Sequence, residues 1–293
     1  MTRSLEALIR LACQAEVLAS KPGNVHPEAA FEDLTADDFL IAAEAVAPIL
    51  ARSAELGVGR AVDEAVAATR DRVATNANLG ICLLLAPCAA AALNGDDFRK
   101  SLRNALDCLT VEDATWVYQA IRRAAPGGLG NADHQDVASE PTVTLLEAME
   151  LAADRDGVAR QYATGFADVF DTGLPAITRF AEHGPEIAII AAHLHLMAAR
   201  PDTLILRKCG QAIADESAAR ATSVLEQGWP TGGSAAFDSL DAWLRADGHR
   251  RNPGTTADLV AATVFVALNE QMLDQSAFLE WCDTIRQKMM DRR

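Results

Sequence analysis

Leu79-Gly-Ile-Cys-Leu-Leu-Leu-Ala-Pro-Cys-Ala-Ala-Ala-Ala-Leu93 is the longest apolar run in the chain, and its reading decides the fold. Spanning a bilayer as a helix takes about 20 apolar residues, and this run is shorter and interrupted by Gly80 and Pro87. It shows no period-two alternation, and its leucines and alanines are good helix formers. A helix that is apolar all round belongs in a protein core. The expected fold is all-α, a single compact multi-helix domain over 1–293 with a central apolar helix at 77–93.

The same period continues on either side. Leu5, Leu8, Ile9, Ala12 and Glu16 fall on one helical stripe. The next segment opens at Thr35 with Asp38 three residues later, an acidic variant of the capping box. It continues through Phe39, Ala42, Ala43, Val46 and Ile49. Helices are then expected at 59–71, 97–108 and 111–124, before a break at Ala125-Pro-Gly-Gly-Leu-Gly-Asn131 whose loop extends to 141. They resume at 142–153, 157–171, 174–183 and 185–199, and Pro201 separates a long one over 203–226. A second loop, Gly228-Trp-Pro-Thr-Gly-Gly233, precedes helices at 235–246, 256–272 and 276–290. No fixed-period repeat and no low-complexity linker is visible.

Composition bounds the function classes. Of 293 residues, 50% are apolar and 23% charged, as in ordinary globular proteins. A formal net charge of −15 argues against a nucleic-acid or anionic-membrane surface, and any phosphate site must be a local cluster of cations. Six cysteines without a CxxC pair read as reduced thiols, and the N-terminus lacks the continuous apolar core of a signal peptide, so a cytoplasmic protein is expected. Walker-type, HExxH and GxSxG motifs are missing from the sequence. His193 and His195, two apart, point to different faces of a helix and make a poor metal pair.

Five segments could carry chemistry. In Glu16-Val-Leu-Ala-Ser-Lys-Pro-Gly-Asn-Val-His26, Pro22 and Gly23 end the first helix and are expected to expose Lys21, Asn24 and His26 on a turn suited to phosphate or ribose. Glu16 interrupts an apolar stripe, which is costly unless the carboxylate is paired or holds a metal. Its structural alternative is a helix-end lysine beside a glutamate at the core's edge. In Asn76-Ala-Asn78-Leu-Gly80, free N–H groups at a helix start could bind phosphate, or the asparagines could simply cap the helix. Asp133, His134 and Asp136 follow the glycine-rich loop and could hold a cation or merely be solvated. Asp202 can cap a helix that brings Arg207 and Lys208, two cations in an acidic protein. Asp258 is expected in the first turn of a late helix, serving its dipole or Mg²⁺.

Glu16-Val17, Lys21-Pro22-Gly23, Asn76 to Gly80, Asp202-Thr203 and Gly254-Thr-Thr-Ala-Asp-Leu259 stand in the order found in one family, spread over nearly the whole chain. The sequence resembles the triphosphoribosyl-dephospho-CoA synthases. That resemblance implies a pentosyltransferase that moves a triphosphoribosyl group from ATP to 3′-dephospho-CoA, with release of adenine and with Mg²⁺ as cofactor. The residues expected at the nucleotide and its phosphates are Lys21, Gly23, Asn24, His26, Asn76, Asn78, Gly80, Arg207 and Lys208, of which the Arg207-Lys208 region departs from the His-Arg-Gly-Gly pattern of the citrate lyase and malonate decarboxylase branch. Glu16 and Asp258 are the implied catalytic carboxylates, and these two with Asp202 the metal ligands. Asn78 and Leu79 stand where the citrate lyase and malonate decarboxylase branch has His and Lys. The Thr75-Asn-Ala-Asn-Leu-Gly80 form is similar to a branch from organisms with tetrahydromethanopterin-linked metabolism. Two alternatives therefore stay open: phosphoribosyl transfer to a pterin precursor, and a catalytically silent nucleotide-binding protein. Small-molecule substrates are the expected partners, without nucleic acid or membrane, and a homodimer is left open. The N-terminal turn, the 76–80 turn and the 254–258 helix start are expected to share a cleft.

Overall fold

The computed structural model describes residues 4–73, 75, 77–92, 97–125 and 134–292. Among these, helices make up the fold, and the sole strand-type pairing is an isolated bridge between His26 and Ala29. The helices are α1 (Leu5–Leu18), α2 (Ala36–Leu50), α3 (Ser53–Leu56), α4 (Val58–Arg70), α5 (Leu79–Ala91), α6 (Phe98–Asp107), α7 (Val111–Ala124), α8 (Leu145–Ala152) and α9 (Gly157–Thr164). A π-turn, Val169–Gly173, leads into α10 (Leu174–Arg179). Then come α11 (Pro185–Ala199), α12 (Thr203–Cys209), α13 (Gln211–Glu226), α14 (Ser234–Arg245), α15 (Gly254–Asn269) and α16 (Gln275–Asp291). The chain, read above as one helical body, gathers its contacts into two compact units. One comprises residues 1–13 and 38–167, the other 14–37 and 168–293.

In the first unit α5 is the expected apolar helix, buried from Leu79 through Ala91 apart from Gly80 and Ala90. Pro87 lacks the N–H that would bond the Leu83 carbonyl four residues back. The hydroxyl of Tyr162, on α9, donates to that carbonyl at 2.6 Å and closes the gap. A buried carbonyl thus keeps a partner in the middle of a proline-containing helix. Helices α4 and α7 pack side by side, tied by Gly59 N–H to Asp113 (2.8 Å) and by Arg123 to the buried Asp63 (3.1 Å). Reciprocal capping boxes start α7 (Thr110, Asp113) and α8 (Thr144, Glu147), so α8 begins at 145 rather than 142. The stretch from residue 135 is held to α7, with Tyr118 donating to the Gln135 carbonyl at 2.7 Å and Arg122 to that of Val137 at 2.6 Å.

The second unit has its own heavily buried helix. In α15 every residue from Leu259 to Leu268 is buried, and α15 packs on α10, α11 and α12. The central apolar helix expected at 77–93 is α5, and the second unit adds a further one in α15. Around α11, the residues Ile190, Leu194, Met197, Ile205, Ala214, Val224, Leu240 and Leu244 form a continuous core. Two expected helices are broken. The one over 203–226 divides at Gly210, whose φ of +86° only glycine adopts without strain. The one over 157–171 stops where Gly165 and Phe166 both take a φ of +62°. Four of the six free cysteines, Cys13, Cys82, Cys88 and Cys282, are buried, while Cys108 is exposed and Cys209 half-buried. No described helix is long and apolar enough to cross a membrane.

Candidate active site

At the end of α1, in the second unit, Lys21 does not project from its turn. Its side chain folds back and is 0% exposed, with Nζ 2.9 Å from Oε1 of Glu16, itself 2% exposed. The same ammonium donates to the Ala19 carbonyl at 3.3 Å and to the Glu16 carbonyl. Helix C-termini leave carbonyls without intrahelical partners, and a lysine carries three donors. Here all three are used to seal α1. Burial draws the ammonium below the usual lysine range and raises the Glu16 carboxyl, and the attraction between them opposes both shifts. The expectation of an exposed, phosphate-binding Lys21 is thus corrected, because an ammonium with three protein acceptors has no donor left for a ligand. Glu16 is likewise corrected as a metal ligand or base, because it is sealed from solvent and committed to Lys21.

The turn after Lys21 is held from outside. Gly23 has a φ of +72°, and a Cβ there would lie 2.6 Å from Leu244 Cβ, so only glycine fits. Its N–H donates to Asp241 Oδ1 at 2.7 Å. The Arg245 guanidinium donates through Nε to both Asp241 oxygens (2.9 and 3.0 Å) and through Nη2 to the Asn24 carbonyl (2.8 Å). The buried Asn24 side chain donates to Asn252 Oδ1 at 2.8 Å, which brings the turn to the entrance of α15. His26 follows at the half-buried end of the turn. Burial first, then the charges of Arg245 and Lys21, lower its pKa to about 4, so the imidazole is neutral at pH 7. His193, on α11, is 0% exposed, and burial followed by the charge of Lys21 lowers its pKa to about 3. The Pro22 backbone is its hydrogen-bonding neighbour, but neither ring nitrogen completes a bond of good geometry. His195, half-buried, has its ring 6.2 Å from that of Phe180, consistent with the separate faces expected for the two histidines.

Asp202 is spent on structure. Oδ1 accepts the N–H groups of Leu204 and Ile205 at 2.8 and 3.1 Å, capping α12, and Oδ2 accepts the Thr256 N–H and hydroxyl at 2.7 and 2.8 Å, capping α15. Burial raises this carboxyl's pKa against those four hydrogen bonds. Asp258 is the fifth residue of α15 and half-buried, not in the first turn as expected, so the dipole account of it lapses. Among the described residues no three His, Cys, Asp or Glu side chains are gathered as a cation requires. A Mg²⁺ site built on Glu16, Asp202 and Asp258 therefore does not fit, since Asp202 is fully engaged by protein donors and Glu16 is buried against the Lys21 ammonium.

Arg207 and Lys208 occupy the last turn of α12. The Lys208 ammonium is lowered first by burial, while Asp33 opposes the shift. Arg250 donates to the Lys208 carbonyl at 2.9 Å, and the Cys209 thiol to the Arg250 carbonyl at 3.4 Å. The loop that carries Asn252 is thereby fastened to the end bearing the two cations. In the first unit, Asn78 is buried at the N-cap position of α5, where its side chain makes no capping hydrogen bond, and Gly80 lies in that helix's first turn. Asn76, Asp133 and residues 126–132 of the glycine loop lie outside the described residues. His134 and Asp136 are described, and Asp136 caps its own loop through Ala138 N–H at 2.8 Å.

Against these features stand the comparisons with known proteins. The family model for CitG, ATP:dephospho-CoA triphosphoribosyl transferase, matches residues 2–276. A crystal structure from Archaeoglobus fulgidus, of a proposed triphosphoribosyl-dephospho-CoA synthase, superposes with a TM-score of 0.65 at 26% identity. It covers 79% of this chain and 98% of that one. Among curated proteins, none matches significantly. The fold and the match together define an all-α transferase. The chain belongs to the ATP:dephospho-CoA triphosphoribosyl transferase family, whose reaction moves a triphosphoribosyl group from ATP to dephospho-CoA. Neither pterin ribosylation nor a silent binding role is favoured.

Proposed function

We propose that the second unit binds the ATP donor, with Asn24 and His26 at the ribose and Arg207 and Lys208 at the phosphates. The observation that supports this is the Gly23–His26 turn, held by three hydrogen bonds from α14 and the 246–253 loop. Donors fixed before substrate arrives stabilise a developing charge without reorganisation cost. The Glu28 N–H reaches His26 Nδ1 at 3.4 Å, which leaves Nε2 as the protonated, donating nitrogen. A neutral imidazole can donate to a ribose or phosphate oxygen without adding a charge that would oppose positive charge developing at C1′.

In the reaction the bond from C1′ to the adenine nitrogen breaks, and an acceptor hydroxyl oxygen forms the new C1′–O bond. Adenine leaves with the bonding electrons and gains a proton, and the hydroxyl loses one. We assign that second proton to Asp258, a half-buried carboxylate near the start of α15. The transition state has oxocarbenium character, as at other glycosidic carbons. No step here runs through a metal ion held by the protein.

The test is adenine release from ATP with dephospho-CoA, followed chromatographically. Lys208→Ala should raise the KM for ATP roughly 10- to 150-fold, the loss of one charge-assisted contact, and Asn24→Ala roughly 2- to 10-fold, the loss of a neutral one. Asp258→Asn should lower kcat by about 10²–10⁴. Normal kinetics in all three variants would remove the second unit from the donor site.

A further inference from the structure

Nothing in the local sequence marks Asp241 and Arg245, four residues apart on α14, as more than a surface ion pair. Their contacts are unusual for one. Three features of the Gly23–Asn24 backbone are met by this one helix. Asp241 takes the Gly23 N–H, Leu244 fills the space beside the Gly23 Cα, and Arg245 donates to the Asn24 carbonyl. The two charges also lock each other, both Asp241 oxygens accepting from Arg245 Nε at 2.9 and 3.0 Å. A pair used only to stabilise its helix would not orient both members toward residues more than 200 positions earlier.

We infer that Asp241 and Arg245 are positioning residues for the transfer reaction, forming a template that sets the orientation of Asn24 and His26 toward the ATP donor. The inference rests on the donor-binding role proposed above for that turn. Opposite polarity is built into the template, an acceptor facing an N–H and a donor facing a carbonyl. An ion pair of reversed sense would leave both turn groups facing the wrong partner. The charged groups around His26 are Arg245, Lys21, Asp241 and Glu28, and Arg245 is the largest charge influence on its imidazole.

Steady-state kinetics with ATP and dephospho-CoA, measured as adenine release, test this alongside imidazole titration by NMR. Asp241→Asn and Arg245→Lys should raise the KM for ATP about 10- to 100-fold, the scale of a small misplacement of binding groups, and leave the KM for dephospho-CoA unchanged. The exchanged variant, Asp241→Arg with Arg245→Asp, restores the intrahelical pair and should not restore ATP kinetics. In Arg245→Gln the His26 pKa should rise from about 4 towards the ordinary histidine range. Where Asp241→Asn does not fold, Arg245→Lys carries the test, because one ammonium keeps the charge but cannot hold Asp241 and the Asn24 carbonyl together. Recovery of normal kinetics in the exchanged variant, or an unmoved His26 titration in Arg245→Gln, overturns the inference. Asn24→Ala and His26→Ala distinguish the two levels. If they leave ATP kinetics intact, the donor-site assignment fails, whereas if they impair ATP use and the α14 variants do not, the template alone fails.

Discussion

Lys21→Met separates a sealed ion pair from an exposed phosphate ligand. Methionine keeps most of the side chain's volume and removes its charge and three donors. Glu16, 2% exposed, would then be a buried carboxylate without its cation, and the Glu16 and Ala19 carbonyls would lose their donor. Removing one partner of a buried pair costs about 3–5 kcal/mol, a large share of the roughly 5–15 kcal/mol that holds an ordinary domain folded. Had Lys21 stood on an exposed turn, the cost would stay within about 0.5 kcal/mol. The second unit contains Trp229, Trp243 and Trp281, three of the four tryptophans, so urea unfolding followed by tryptophan emission reports mainly on it. The double variant Glu16→Gln, Lys21→Met removes the stranded charge and should recover more than half of the loss, since the pair's net worth is smaller than the cost of breaking it. A single variant within about 1 kcal/mol of the parent, or a double variant no better than the single, would refute the buried-pair account.

Two further outcomes follow from buried groups. The folded pKa of His193, about 3, lies below the unfolded value near 6.5, so in that interval the unfolded chain binds the extra proton. Its contribution to stability is complete above pH 6.5 and falls as pH drops, by about 2 kcal/mol between pH 8 and pH 5; urea midpoints across that range should show this slope in the parent and lose it in His193→Asn. Asp202→Ala removes the acceptor shared by two helix starts and should cost about 2–4 kcal/mol in the same assay, with no change in any Mg²⁺ requirement of the surviving activity. An altered Mg²⁺ requirement at parental stability would return Asp202 to the role of metal ligand.

What could be read from the sequence was whatever depends on near neighbours. The run from Leu79 to Ala91 could only be a buried helix, because its polarity pattern has no outward face, while the helix start expected at 142 falls at 145, where Thr144 and Glu147 form a capping box. Gly210 escaped notice because a lone glycine inside a helical pattern costs only about 1 kcal/mol and is often tolerated. The left-handed φ that breaks the helix there depends on how α12 and α13 pack.

The candidate site was harder to read for a related reason. Lys21 and Asp202 stood out as charges in apolar or capping contexts, and such charges are the ones a fold must neutralise internally if it buries them. The structure does so, with three acceptors around Lys21 and four donors around Asp202. Asp241 and Arg245 have the opposite profile. Four apart on an amphipathic helix, they look like any solvated pair, and their partners lie 218 and 221 residues away along the chain. No local spacing encodes a contact of that separation. In an acidic protein that must hold a triphosphate, the groups available to a ligand are therefore those that the fold positions without exhausting their donors. Asn24 and His26 are proposed to be such groups, whereas the Lys21 ammonium is sealed against Glu16 and the end of α1.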